Sequence, residues 1–207
     1  MRMPGSIGDF HRNGGHALVV DDLPLTSDDV VIDGGGYLGG WASDVLIRYG
    51  SRLIVFEPMP EYATHLRRLF GGNSRVEVIQ AALSDRSGED TLSLETDGST
   101  RFPRTGAKTT RIPLVDVSEF LLSRQLEDVG CLALNIEGSE YEVLDRLINT
   151  DLVARVRCIV VQFHAINEAS QTRRNAIREA FARTHRCNFN YPFVWESWTR
   201  IARARTG

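Results

Sequence analysis

Cysteine is scarce in this 207-residue sequence, with only Cys131, Cys158 and Cys187. None belongs to a C-x-x-C pair, which excludes the usual zinc-ribbon and dithiol redox frameworks. Cys131 and Cys158 sit in apolar runs and read as buried, inert thiols of a reducing compartment. No run approaches the roughly 18 apolar residues of a membrane span. The opening "MRMPGSIGDFHRNGG" lacks the apolar centre of a signal peptide, so a cytoplasmic protein is expected. Charge of one sign is also lacking: 24 Lys and Arg face 27 Asp and Glu, for a net charge of -3. That gives no electrostatic case for nucleic acid or an anionic membrane as partner. Internal repeats and low-complexity tracts are absent.

What remains is the composition of a globular domain, 42% hydrophobic and 25% charged, on a chain long enough to bury its own core. Residues 1–28 read as an N-terminal arm and connector, loose up to residue 15, with "HALVV" as a short strand. From residue 29 to 207, short apolar runs alternate with amphipathic stretches. "VVIDGGG", "RLIVFEP", "VEVIQAAL", "CLALNIEG" and "VRCIVVQFH" read as strands. "WASDVLIRYG", "EYATHLRRLF" (with Pro60 in its first turn), "EYEVLDRLI" and "SQTRRNAIREAFARTH" read as helices. Ser139 and Glu142 have the spacing of a capping box. "TTRIPLVDVSEFL" reads as an irregular stretch before a short helix, and "CNFNYPFVWESWTRI" as a closing hairpin. Continuous apolar strands joined by helices imply a mainly parallel sheet covered on both faces. The expected fold is α/β: one doubly wound, Rossmann-like domain with a C-terminal antiparallel hairpin.

In such sheets ligands bind beyond the carboxyl ends of the strands, where the strand order reverses. The turn after the first strand, "VVIDGGGYLGG", has the spacing Gly34-x-Gly36-x-x-Gly39 of a nucleotide cradle. Glycines let backbone approach a ligand, and the helix N-terminus beyond them offers N–H groups to an anion. Glu57 ends the second strand, where a carboxylate suits two ribose hydroxyls. These features fit a nicotinamide dinucleotide and S-adenosylmethionine equally. Asp33 separates them: beside a pyrophosphate it adds repulsion, whereas a sulfonium and an ammonium favour it.

Four stretches in order carry a family resemblance. "IDGGGYLGG" resembles the D-x-G-A-N-x-G turn of FkbM-type methyltransferases, and "VFEPMPEYATHL" is similar to their second-strand motif. "VIQAALSDRSGEDTLSL" resembles the segment after their third strand, and "LNIEGSEYEVL" their I-D-V-E-G-x-E-x-x-V-L. The resemblance spans about residues 30–164. It implies an S-adenosyl-L-methionine-dependent methyltransferase acting on the hydroxyl of a sugar or secondary metabolite. By the resemblance, Asp33, Gly34, Gly35, Gly36 and Gly39 shape the methionine end of the cofactor site. Glu57 holds the ribose, Pro58 and Met59 flank the adenosine, Ala81 and Ala82 lie by the adenine, and Asn135 and Glu137 face the methyl group. Tyr37 stands where the family has Asn, and Asn135 where it has Asp, so position 135 lacks a base.

An alcohol acceptor must lose a proton, and Glu137 and His164, each at a strand end, are the candidates for removing it. A metal held by Asn135, Glu137 and His164 is a weaker alternative, and no metal is expected. Arg101, Arg104, Lys108 and Arg111 read as a solvated basic loop, or as a lid over an acidic acceptor. Tyr191, Phe193, Trp195 and Trp198 read as a hairpin packed on the core, or as a platform for a flat acceptor. The acceptor is expected to be a small molecule, bound with help from the arm, the 96–108 loop, the hairpin or the second subunit of a homodimer. Two other readings stay open. The glycine spacing allows a nicotinamide-dependent oxidoreductase, though no Tyr-x-x-x-Lys pair is present. The residues at 37 and 135 allow a non-catalytic interaction domain.

Overall fold

The computed structural model describes residues 6–95, 98–100 and 108–201. The basic stretch 101–107, with Arg101 and Arg104, and the tail beyond Ile201 lie outside them. The chain opens with α1 (Ile7–Arg12) and α2 (Gly15–Val20). Strand β1 (Val30–Gly34) leads to α3 (Gly40–Tyr49), and β2 (Arg52–Phe56) leads to α4 (Pro60–Leu69). Then come β3 (Val76–Ile79), β4 (Ala82–Ser84), β5 (Gly88–Glu95), β6 (Gly98–Thr100), β7 (Lys108–Asp116) and α5 (Val117–Ser123). The second half holds β8 (Val129–Leu134), α6 (Glu140–Asn149), β9 (Val156–Val161), α7 (Ser170–Phe181), β10 (His185–Tyr191) and β11 (Trp195–Arg200).

Seven strands form the main sheet in the order β10-β11-β9-β8-β1-β2-β3. β1 pairs in parallel with both β2 and β8, and β8 with β9, while β11 runs antiparallel to β9 and β10. The chain winds outward in one direction from β1 and in the other from β8, so the order reverses between these two strands. Every residue of β1 and β8 is buried, as strands covered on both faces require. Alternate residues feed two cores. Val31, Leu53, Val55, Cys131 and Cys158 meet α2, α3 and α4 on one face. Ile32, Phe56, Leu132, Leu134 and Ile159 meet α5, α6 and α7 on the other. Each such aliphatic side chain contributes roughly 1.5–3 kcal/mol by leaving water.

Five expectations need correction. "HALVV" is helix α2, not a strand, and residues 7–12 are helix rather than loose arm. A six-residue helix is marginal alone. Here the indole of Trp41 donates to Val19 O at 3.0 Å and the Tyr49 hydroxyl to Val20 O at 2.7 Å, satisfying carbonyls at its end. "VEVIQAAL" is two strands, because the Ala81 N–H turns back onto Ile79 O at 3.0 Å and sends β4 into a second sheet. That sheet, β4-β7-β5-β6, also takes up "TTRIPLVD", which is strand rather than irregular. Ile112 and Leu114 alternate inward there onto Leu92 and Met59. The capping box does not form: Ser139 has helical dihedrals, φ -81 and ψ -7, and its side chain makes no cap bond.

Candidate active site

The strands flanking the switch point end in acids. Asp33 lies in register with Val55 of β2 and Ala133 of β8, and only 5% of it is exposed. Among the described residues no hydrogen bond reaches its carboxylate. Burial, with the neighbouring Glu57 carboxylate, pushes its pKa up to about 7. Glu57 follows β2 and is as deeply buried, but both its oxygens are tied. Oε2 accepts the Tyr37 N–H at 2.9 Å and Oε1 the Met59 N–H at 2.8 Å. Burial raises its pKa as well, and these two donors offset part of the rise.

The glycine turn spends most of its own amides. Gly35 and Gly36 both donate to Phe56 O at 3.0 Å, and Gly39 donates to Gly36 O at 2.7 Å. Gly35 has φ +97, and a Cβ there would lie 2.2 Å from the backbone oxygen of Asn135. Gly39 has φ +81, and a Cβ there would lie 2.7 and 2.9 Å from side-chain carbons of Leu69 and Leu66 of α4. These glycines therefore press the end of β1 against the end of β8, and α3 against α4. Beyond Gly39 the first turn of α3 carries no side-chain cap, which leaves N–H groups for an anion. Tyr37 takes φ +47 on the outside of the turn, and its ring meets Tyr62 edge to face at 4.7 Å.

Across the switch point, the ends of β8 and β9 bring together Glu137, Glu140 and His164. His164 Nε2 lies 3.5 Å from Glu137 Oε2, and its Nδ1 lies 3.1 Å from Glu140 Oε1. Its backbone N–H also donates to Glu140 Oε1, at 2.6 Å. Burial pulls the imidazole pKa down, but the Glu140 and Glu137 carboxylates outweigh it, and the net shift is upward. His164 is thus protonated more readily than a free imidazole.

Asp33, Glu57, Asn135, Glu137 and His164 lie at or just beyond the carboxyl ends of main-sheet strands, while Ala82 and Arg111 belong to the second sheet. Ile79 O accepts both the Glu57 and the Ala81 N–H at 3.0 Å, joining the end of β3 to that of β2. Ala81 and Met59 are buried, Ala82 opens β4, and Pro58 is half-buried beside Glu57. Asn135 is exposed and donates its N–H to Gly34 O at 3.1 Å. Arg111 lies on β7 and pairs loosely with Glu89 at 4.0 Å, both well exposed. Phe193 and Trp198 lean on buried Arg174 and on Arg178 of α7, and Tyr191 meets Phe10 of α1 edge to face. Glu140 is the residue that sequence reasoning misses. Its signal is an acid three residues after Glu137, inside the same motif. Among the described residues no group of three His, Cys, Asp or Glu is placed to hold a metal, and no helix is long and apolar enough to cross a membrane.

This strand order, with an acid-and-glycine turn after β1 and a second acid after β2, defines the Rossmann-like methyltransferase class. The family model described as "Methyltransferase FkbM domain" matches residues 33–191, and the chain belongs to that family. It is therefore an S-adenosylmethionine-dependent methyltransferase, and the oxidoreductase reading falls. No curated protein sequence matches the chain. Three similar solved structures illustrate the fold. The METTL16 MTase domain has a TM-score of 0.53 at 12% identity, covering 92% of this chain and 68% of that one. An rRNA methylase from Streptococcus thermophilus has a TM-score of 0.51 at 11% identity, covering 91% and 95%. N-methyltransferase NodS from Bradyrhizobium japonicum, in complex with S-adenosyl-L-homocysteine, has a TM-score of 0.50 at 7% identity, covering 96% and 90%. At these identities the likeness concerns the fold alone. The residues present fit the cofactor on one observation above all: Asp33 is a largely buried carboxylate that takes no hydrogen bond among the described residues and is not wholly enclosed, suited to a cationic group.

Proposed function

We propose that this methyltransferase acts on the hydroxyl of a small molecule, a sugar or secondary metabolite, with His164 as general base. Asp33 would hold the cationic end of S-adenosylmethionine, against the glycines of the β1 turn. Glu57 would take the ribose hydroxyls on lone pairs not used by Tyr37 and Met59, with Pro58, Met59, Ala81 and Ala82 on the adenosine side. Asn135 would lie between the two halves of the site. When bound, the cofactor supplies an electrophilic methyl group on a sulfonium.

The observation that carries the reading is the placement of His164. His164 follows the carboxyl end of β9, with Nδ1 on Glu140 and Nε2 facing Glu137. A hydroxyl must lose its proton as it is methylated, and an imidazole there accepts one near neutral pH. Asn135 has no charge with which to do so. The net charge of -3 also favours a small neutral acceptor over a polyanion.

The test is a methyl-transfer assay with labelled S-adenosylmethionine against panels of sugars and hydroxylated metabolites, with ribosomal RNA and peptides alongside. Label on a small-molecule oxygen supports the reading, and label confined to RNA or peptide nitrogen overturns it. His164→Gln should lower kcat by about 10²- to 10⁴-fold, the usual contribution of a positioned base. Its affinity for S-adenosylhomocysteine, measured by calorimetry, should not change. Near-normal turnover in this variant would remove His164 as the base.

A further inference from the structure

Glu140 has no exposed surface, yet it is engaged from two sides. Oε2 accepts the Gly138 N–H at 2.8 Å. Oε1 accepts the His164 backbone N–H at 2.6 Å and lies 3.1 Å from ring Nδ1. A carboxylate taking backbone donors on both oxygens acts as an acceptor, so the ring proton belongs on Nδ1. Nε2 then carries the lone pair, on the side of the ring that faces Glu137. Glu137 and Gly138 both have positive φ, +51 and +105, and the bond to Gly138 holds this turn in place.

We infer that Glu140 is a positioning residue: it fixes the imidazole of His164 with its proton on Nδ1 and presents Nε2 to the acceptor hydroxyl. The inference rests on His164 being the base, but it makes a claim about the imidazole that is testable without turnover. The charged and titratable groups around His164 are Glu140 of α6 and Glu137 of the preceding turn. Tyr141 donates its hydroxyl to the His164 carbonyl at 2.8 Å. Arg173 and Arg174 of α7 lie over the rings of Tyr141 and Phe163 at 5.1 and 6.0 Å. Of these, Glu140 is in direct hydrogen-bond contact with the imidazole, and the Gln162 backbone also favours the protonated ring.

Long-range ¹H–¹⁵N spectra of the full chain report the tautomer and titration of each of its five histidines, and His164→Gln assigns the relevant signals. In the wild type the neutral form should carry its proton on Nδ1. A wild-type proton on Nε2 overturns the inference with no Glu140 variant needed. In Glu140→Gln the amide oxygen stays on the His164 N–H and the ring Nδ1–H, its NH2 is left facing the Gly138 N–H, and the lost charge moves the His164 titration to lower pH. An unchanged titration midpoint in a folded Glu140→Gln would also overturn it. The acidic limb of the kcat profile should follow the midpoint downward, and kcat on its plateau should fall by about 100-fold. Glu140→Asp, which keeps the charge, should restore the midpoint toward the wild-type value. If the tautomer is as stated while His164→Gln keeps full turnover, the base assignment fails and the positioning of the imidazole stands.

Discussion

The two halves of the site treat buried acids in opposite ways. Glu140, at the β9 side, is completely enclosed and accepts hydrogen bonds on both oxygens from groups within the chain. Asp33, at the end of β1, is 5% exposed and receives none among the described residues. Asp33 loses most of its hydration with no hydrogen bond to replace it, although its oxygens are not wholly enclosed, whereas Glu140 is satisfied within the chain. The difference separates an acid that completes the fold from one whose bonding capacity is left unused within the chain, which is the ground for the role proposed above for Asp33. Glu57 stands between them: tied to Tyr37 and Met59, yet raised by the same burial that raises Asp33.

The hardest way to break this division is to push its halves apart where they touch. Gly35 presses against the Asn135 carbonyl at the seam between β1 and β8, and a Cβ would lie 2.2 Å from that backbone oxygen. Gly35→Ala adds this overlap to a positive φ, for an expected loss of about 2–5 kcal/mol. A urea unfolding curve measures it, and an unchanged midpoint would show that the seam is not close-packed.

Asp33→Asn tests the other side of the comparison and should have two effects of opposite sign. The folded carboxyl holds its proton more tightly than the unfolded one, its pKa moving from 3.8 to about 7. Its contribution is therefore fully present below about pH 4 and is lost as pH rises through about 7. The amide has no such loss, so the variant should gain on the wild type between pH 5 and 8, by at most about 4 kcal/mol. Affinity for S-adenosylmethionine should fall by roughly 10- to 100-fold, as for the loss of a charge-assisted contact. For the wild type the same affinity should rise with pH through about 7, because the ionised acid is the form that holds a cation. Thermal scans and calorimetry across this range check both signs. A stability difference that does not vary with pH would mean that Asp33 is not the strained acid.

Much of this arrangement is legible in the sequence, and the rest is hidden for identifiable reasons. β1, β2, β8 and β9 are short apolar runs, and Pro60 and Gly50 punctuate the helices between them. Asp33 and Glu57 stand out as acids ending such runs. The second sheet is obscured because "VEVIQAAL" is continuous in composition while its backbone breaks at Ala81. In β7 the inward alternation of Ile112 and Leu114 is masked by Arg111 and Pro113 between and beside them. Glu140 looks like any acid in a first helical turn, where solvent exposure is the rule. Its burial depends on His164, 24 residues further on. Hydrogen-bond partners that distant leave no local pattern, so the identity of each acid is readable and its satisfaction is not.

Tyr37 provides the finest test. It sits where the family motif has Asn, at φ +47, with its ring about half exposed against Tyr62. The contact to Glu57 comes from the Tyr37 backbone N–H, so any residue keeping that dihedral keeps the bond. Tyr37→Asn relieves a left-handed conformation that Asn tolerates better, a gain of about 1 kcal/mol. It removes an edge-to-face pair of about 0.5–1.5 kcal/mol, with the lower end suited to an exposed ring. The two effects oppose each other, and stability should change by less than about 1 kcal/mol, a few degrees in Tm at most. A larger fall would show that the ring itself, rather than the turn's amide, secures Glu57. The partnered acid would then depend on a side chain at the mouth of the site, and its contrast with Asp33 would be one of degree.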